Sequence, residues 1–343
     1  MANRPTVVDV AREAGVSVST VDRVMNGRQT VRADTANRVF EAAERVGYHA
    51  TALIGRRLRE DLPVVRLGFV LQKQRQRFYQ SLAEHLEHAV SVASGIQGKA
   101  VIEFCHSQTP GDITEMMRDV GSRVDVLAAV ALNHQQTTDT VLELKAKGIQ
   151  TFSLLSDFGQ GERANYIGLN NLKVGRIAAF MIATAVHDPG KIAVFVGGHR
   201  WHGHELRETG FRSYLREYHP SFTVLDTLVN LETRRLTHEA TLDLLERHPD
   251  LKGMYVAGGG MEGAIAAIRE VRKPGEVALV VNELTPESRA ALSDRYLLMA
   301  IATPLAEFSR DLVSLMIEAA GGEHSGLPGQ HFLAPQLYLP ESL

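Results

Sequence analysis

Apolar positions in the first 46 residues recur at three- and four-residue intervals. Val10, Ala11, Ala14, Val16, Val21 and Val24 fall where two short crossed helices would bury them. Thr6 is placed to cap the first helix, with Asp9 three residues on as its capping-box partner. Gly15 supplies the positive φ that a sharp helix exit needs, and Ser17 caps the second helix. That second helix leaves Val18, Ser19, Asp22, Arg23 and Asn26 outward, a chemically varied face at a helix start. A third helix is predicted over 34–46, with Ala36, Val39, Phe40, Ala43 and Val46 on one side.

From residue 64 the period changes. Strand-like runs at 65–71, 99–105, 124–131 and 150–155 alternate with helical stretches at 79–93, 112–120 and 137–147. The alternation restarts with helix 171–186, strand 191–196, helix 205–218, strand 222–228, helix 235–247, strand 253–256, helix 261–270 and strand 277–281. Such a pattern predicts doubly wound α/β architecture with parallel sheets, and two series of it predict two lobes. The chain is expected to cross back near 298–304. Helix 307–320 then joins the first lobe, and 331–339 adds an edge strand.

A length of 343 residues exceeds one compact domain, and 44% hydrophobic with 22% charged residues is ordinary for a soluble globular chain. The net charge of −3 conceals an asymmetry: residues 1–59 hold ten arginines, no lysine and six acidic residues. A basic N-terminal module on an acidic body suits a localised phosphate contact, and arginine's planar fork suits bidentate ones. Cys105 stands alone, which excludes an intramolecular disulfide and a cysteine-based zinc site, and it reads as a packed small residue. The N-terminus lacks the apolar core of a signal peptide and no apolar run approaches membrane-spanning length, so a cytoplasmic protein without membrane partners is expected. No Walker-type loop, GxSxG elbow, HExxH motif or dinucleotide fingerprint occurs, so neither an enzyme nor a cofactor is expected.

The run DVAREAGVSVSTVDRVMNG resembles the helix-turn-helix of the LacI (lactose repressor) family of bacterial transcription regulators. The resemblance continues from Val31 to Tyr48, and then into a core similar to periplasmic sugar-binding proteins. It implies an all-α helix-turn-helix headpiece at 1–47, a hinge at 48–62 and an α/β core at 63–343 of the periplasmic binding protein type I kind. The first lobe is expected at about 63–158 and 303–324, the second at about 161–300 and 329–343. It also implies a DNA-binding regulator, of repressor type, for a carbohydrate-related operon. Ser17, Thr20 and Asn26 would hold phosphates, and Val18, Ser19 and Arg23 would face base edges in the major groove. Thr6, Val31, Arg56 and Arg57 complete the expected DNA-contacting set, and Leu58 is the residue that would wedge into the minor groove. Two departures stand out in the hinge: one extra residue between Tyr48 and Leu58, and Gly55 inside the would-be helix, at about 1 kcal/mol relative to Ala. Asp22 either accepts from a cytosine amine or, the preferred reading, pairs with a nearby arginine. The third helix has Arg32 where the family has a small hydroxyl cap.

In open α/β sheets ligands bind beyond the carboxyl ends of the strands. That rule, with the resemblance, assigns Gln74, Phe78, Tyr79, Asn133, Ser156, Asp157, Arg200, Arg207, Gly258 and Glu283 to the effector. Arg207, in the segment His204–Phe211, matches the family's hydroxyl-binding arginine, and Glu283 stands where the family often has an effector-binding aspartate. Gly258-Gly259-Gly260 replaces the usual Asn-Asp; it either brings backbone N–H groups up to an anionic or bulky ligand or makes only a tight turn. His199, His202 and His204 read as cleft-facing loop residues, solvent-exposed ones or, least favoured, metal ligands. Arg75, Arg77, Arg200 and Arg207 make a sugar acid or sugar phosphate a candidate beside neutral sugars and polyols. A homodimer on pseudo-palindromic double-stranded operator DNA follows from the resemblance. The alternative is a solute-binding protein of a transport system.

Overall fold

The computed structural model describes residues 5–26, 31–51, 54, 62–322 and 328–343, and every structural statement below concerns these. The chain divides into two compact units, 1–65 with 91–99, and 66–90 with 100–343.

The first unit holds α1 (Val7–Ala14), α2 (Val18–Asn26) and α3 (Ala33–Val46). Both the backbone N–H and the hydroxyl of Thr6 donate to the Asp9 carboxylate, at 2.8 and 2.7 Å. Gly15 turns the chain at φ 65°, and its N–H returns to the last carbonyls of α1. Ser17 Oγ accepts the Thr20 N–H at 3.2 Å, which caps α2. Arg32 precedes α3 without a side-chain cap bond, the consequence of the missing hydroxyl. Val10, Val21, Val39 and Ala43 are fully or almost fully buried in one cluster. Tyr48 and Ile54 join that cluster, so the small core extends past residue 47 and takes up two side chains expected in the hinge. Arg56, Arg57, Leu58 and Gly55 lie outside the described residues.

The second unit contains two sheets. The strands of the first are β1 (Val64–Gln72), β2 (Gln97–Cys105), β3 (Val126–Ala129), β4 (Gln150–Leu154), β5 (Asn165–Leu169) and β12 (Gly329–Leu333), in the order β12-β5-β4-β3-β1-β2. Its helices include α4 (Arg77–Ser91), α5 (Pro110–Gly121), α6 (Gln135–Ala146) and α12 (Leu305–Ala320). The second sheet holds β6 (Lys191–Val196), β7 (Thr223–Val224), β8 (Leu228–Val229), β9 (Leu251–Val256), β10 (Ala278–Asn282), β11 (Met299–Ala302) and β13 (Gln336–Tyr338). Around it lie α7 (Asn171–Ala185), α8 (His202–Tyr218), α9 (Arg234–Arg247), α10 (Met261–Val271) and α11 (Pro286–Ser293). β12, β5, β4, β3 and β1 pair in parallel, as do β6 to β11, and β13 runs antiparallel to β11. The central strands are buried along nearly their whole length because helices cover both faces, which is why they read as continuous apolar runs.

Several sequence expectations are corrected. The first crossing between the sheets falls at Asn170, not near residue 160, because Asn165–Leu169 forms β5 beside β4 in the first sheet, in the register Phe152↔Asn165. Residues 329–333 likewise belong to the first sheet, paired with β5, and only 336–338 joins the second. The single strand expected at 222–228 is two two-residue strands, each pairing with β6. The short helix α11, capped by Thr285, was not anticipated. The return crossing does fall between β11 and α12, and α12 packs on β3, β4 and β5.

Asp157 is not a ligand residue in this arrangement. It is buried in a two-pronged pair with Arg163, at 2.5 and 2.7 Å, and it also accepts from Ser153 and Gln330. Arg163 in turn donates to the Gly329 carbonyl at 2.7 Å, so the pair stitches β12 to the sheet edge. Burial alone would raise the Asp157 pKa; the bonds from Arg163 and Ser153 prevail and hold it below the usual carboxylate value. Replacing one partner strands a buried charge. Asp157→Asn is therefore expected to cost about 3–5 kcal/mol in urea denaturation, and the apolar pair Asp157→Leu with Arg163→Met to recover most of it.

Candidate functional site

On the first unit, α2 presents Val18, Ser19, Asp22, Arg23 and Asn26 to solvent, while Val21 and Val24 are buried. Val18 is 46% exposed, so a methyl-bearing surface stands at the helix start beside hydroxyls. Ser17, Ser19 and Thr20 form one hydroxyl cluster, with Ser17 Oγ 2.8 Å from Ser19 Oγ and 2.9 Å from Thr20 Oγ1. Asp22 takes the amide of Asn26 at 2.6 Å, one helical turn on; the expected arginine partner is not found among the described residues. Val31 is half-buried against the helical core.

On the second unit, a pocket forms at the carboxyl ends of both sheets. Segments after β1, β4, β6, β8, β9 and β10 all reach it. Of the expected effector residues, Phe78, Tyr79, Ser156, Arg207, Gly258 and Glu283 line it. Gln74 and Arg200 are exposed and do not. Asn133 only gives its backbone N–H to the Arg200 carbonyl at 3.1 Å, and Asp157 is held by Arg163. Of the four arginines counted near the cleft, Arg77 and Arg207 reach the pocket.

Arg207 is the central cation, only 8% exposed. Its Nε donates to Asn171 Oδ1 at 2.7 Å and its Nη1 to the Ala257 carbonyl at 2.8 Å. Asn171 is fixed in its turn by the Leu155 carbonyl at 3.0 Å and the Tyr166 hydroxyl at 3.2 Å. The guanidinium is thus aimed by two neutral oxygens. Glu283 takes the backbone N–H and hydroxyl of Thr303 at 3.0 and 2.8 Å. Thr303 therefore anchors the Glu283 carboxylate. Burial pushes the Glu283 pKa up, against the Thr303 bonds and the field of Arg207. Burial, and then Glu287, raises Glu262 as well. Tyr79 is buried near Glu232, Glu283 and Arg207, and burial first, then the two carboxylates, raises its phenol.

Sequence reasoning missed Trp201 and Glu232. Trp201 precedes α8, is 5% exposed and adds an aromatic wall to Phe78 and Tyr79. Glu232 follows β8. Applying the strand-end rule to Leu228–Val229 would have found it. His204 turns inward: its Nδ1 accepts the Gly197 N–H at 3.1 Å, and its Nε2 lies 3.6 Å from Glu232 Oε1. His199 is exposed. No group of three metal-ligating side chains occurs among the described residues. Cys105 is buried, and burial pushes its thiol up to about 11.

Residues 6–51 match the lacI family of bacterial regulatory proteins, and residues 67–324 match the periplasmic binding protein domain. The chain is similar to catabolite control protein A of Staphylococcus aureus, 40% identical over 82 residues, 24% of each chain. It is also similar to catabolite control protein A of Priestia megaterium, 29% identical over 140 residues, 41% of this chain and 40% of that one. These matches span a quarter to two-fifths of the relatives' length. Among solved structures, a glucose-galactose binding protein, GanP, from Geobacillus stearothermophilus superposes with a TM-score of 0.74 at 15% identity, covering 82% of this chain and 99% of that one. An ABC transporter solute-binding protein from Burkholderia graminis in complex with D-arabinose gives 0.75 at 18%, covering 82% and 97%. No helix among the described residues is long and apolar enough to cross a membrane.

The inward turn of His204 has a consequence in pH. Burial pushes its pKa down to about 4, against the pull of Glu232. The folded chain thus keeps the imidazole neutral, while the unfolded chain takes up a proton near 6.5. Its contribution is complete above pH 6.5 and is lost as pH falls toward 4, up to about 3 kcal/mol. His204→Gln should flatten the fall of melting temperature across that window; an unchanged slope would contradict the assignment.

Proposed function

From the premise that this chain belongs to the periplasmic binding protein domain family and carries a lacI-family regulatory module at its N-terminus, we propose that it is a DNA-binding transcriptional regulator. It acts as a repressor of a carbohydrate-related operon and is gated by a small polyhydroxy effector. The observation that carries this reading is the presence in one chain of the exposed α2 face and of the Arg207 pocket. The pocket by itself suits a transport-type solute-binding protein equally well; the three-helix unit is what such a protein would not use.

In this reading α2 enters the major groove. Val18 meets a thymine methyl, Arg23 meets a guanine edge, and the Ser17–Ser19–Thr20 hydroxyls meet phosphates. Asn26 engages Asp22, so its role is to orient that carboxylate along the helix face. The protein works as a cytoplasmic homodimer on a pseudo-palindrome. The effector places its ring against Phe78, Tyr79 and Trp201 and its hydroxyls against Arg207, Asn282 and Glu283. Closing the two sheets of the core on the ligand changes the DNA-binding state, and a coupling of about 1–3 kcal/mol is enough for a useful switch.

Two outcomes are expected. Arg207→Ala should keep operator affinity in fluorescence anisotropy and weaken effector response about 10–150-fold, the worth of a charged hydrogen bond; loss of DNA binding in a folded dimer would exclude the effector role. Arg23→Ala should cost about 1–3 kcal/mol on the preferred operator and little on random duplex. Equal loss on both would make it a phosphate contact.

A further inference from the structure

Glu232 occupies an unusual place. It sits in the turn after β8 with φ 52°, following Leu231 at φ 49°, two consecutive non-glycine residues in the left-handed region. Asn230 holds the turn: its Oδ1 accepts the Glu232 N–H at 2.8 Å, and its Nδ2 donates to the Gly259 carbonyl at 2.9 Å. The Glu232 side chain is only 10% exposed. Oε1 receives the Gly259 N–H at 3.3 Å and faces His204 Nε2 at 3.6 Å. Because His204 Nδ1 is an acceptor, Nε2 carries the proton and points it at this oxygen. Oε2 receives Lys73 Nζ at 3.3 Å and Gln108 Nε2 at 3.2 Å. Lys73 also donates to the Leu231 carbonyl at 2.7 Å, and Gln76 to the Glu232 carbonyl at 3.1 Å.

The surrounding glycines are shaped to this arrangement. A Cβ at Gly197 would lie 2.4 Å from Glu232 Cγ, one at Gly258 2.6 Å from His204 Cε1, and one at Gly259 2.9 Å from Glu232 Cβ. An ammonium, a carboxamide, an imidazole N–H and a backbone N–H just before α10 converge on two oxygens. That is the donor set of an anion site. Lys73 and Gln108 come from the first sheet's loops, His204 from the first turn of α8 and Gly259 from the loop after β9. The glycine run does bring backbone up to an anion, and the anion belongs to the chain itself.

This spends the pocket's capacity for negative charge. What remains lining the cavity is Glu262, Glu283, Tyr79 and Asn282, with Arg77 exposed and Arg207 already bound to two oxygens. No ion pair is formed by Glu262 or Glu283 among the described residues, so a ligand phosphate or carboxylate would come up against these two acids with the donor set of the cradle already filled, whereas ligand hydroxyls would find acceptors. We propose that Glu232 is a built-in anion that fills the anion cradle of the cleft and thereby restricts the effector to uncharged polyhydroxy compounds, excluding sugar acids and sugar phosphates. This rests on reading the pocket as the effector site.

The test uses the full-length chain and Glu232→Gly, which removes the carboxylate and suits the left-handed backbone. Melting temperature is followed against sodium formate, with sodium chloride at matched ionic strength as reference. A saturable, formate-specific upward shift in Glu232→Gly and none in the parent supports the cradle; no shift in the variant, or the same shift in both, overturns it. Should Glu232→Gly not fold, Lys73→Gln, Glu232→Gln and the double variant are each melted against the parent. A cradle predicts that the double variant loses less than the sum of the singles, and additive losses overturn it. A second arm screens the parent against neutral monosaccharides and polyols, uronates and phosphosugars by the same readout. A response confined to neutral compounds supports the restriction, and a response to a uronate or phosphosugar overturns it. If formate rescues the variant and no sugar of either class moves the parent, the cradle stands and the effector-site reading falls.

Discussion

A guanidinium taken out of water must be surrounded by oxygen, and the pocket is organised around that demand at Arg207. Neither of its two protein bonds is to a carboxylate: the side-chain amide of Asn171 and the carbonyl of Ala257 receive it. Neutral acceptors leave the positive charge uncancelled, so it remains available to order hydroxyls of a ligand. The same demand propagates outward. Asn171 can face Arg207 only because its own amide is held by Leu155 and Tyr166, and Tyr166 can serve there only because β5 lies in the first sheet. The edge pairing of β5 and β12 rests on Asp157 and Arg163. A buried ion pair on the sheet edge and the arginine of the pocket are thus successive links in one chain of satisfied polar groups.

The parts of this architecture that were legible in the sequence share a cause. Parallel strands covered on both faces become unbroken apolar runs, and helices between them keep a 3.6 period, so the alternation survives without knowledge of contacts. Arg207 was legible because a motif carried it. The strand-end rule located Tyr79, Ser156 and Glu283 because parallel strands leave their loops on one side. What was hidden depended on partners distant in sequence or on strands too short to register. Asp157 stands at a strand end like a ligand residue, and only Arg163, Ser153 and Gln330 turn it into a structural one. Glu232 was lost because β7 and β8 have two residues each and read as one edge strand. The Asp22–Asn26 bond was available from the four-residue spacing alone, and attention to charge rather than amide partners passed over it.

Charge balance distinguishes the two halves of the molecule. The helical unit concentrates arginine and sets some of its acids against it: Asp9 with Arg12, Glu13 and Glu41 with Arg45. Ion pairs of this kind offset the repulsion that a polyanion would meet at short range. The pocket does the reverse. Lys73 beside it is held by carbonyls and Glu232, Arg207 is held by neutral oxygens, and Glu262 and Glu283 line the cavity without an ion pair among the described residues. A ligand rich in hydroxyl donors meets that surface without bringing a counter-charge.

Backbone conformation adds an energetic bias to this chemistry. Lys73, Leu155, Leu231, Glu232 and Glu283 have positive φ, from 39° to 73°, and all five stand at carboxyl ends of strands bordering the cleft. Each costs about 1–2 kcal/mol relative to a right-handed residue and persists only where its neighbours over-determine it. The neighbours here are specific: Lys73 is tied to the Leu231 carbonyl, Leu155 to Asn171, Glu232 to Asn230, and Glu283 to Thr303. The Lys73 tie spans the two sheets, whereas the Asn230 and Thr303 ties lie within the second. Leu155, too, is tied across, to Asn171 at the start of α7, so the strained backbone bordering the cleft is over-determined by contacts from both sheets and depends on their standing in this arrangement.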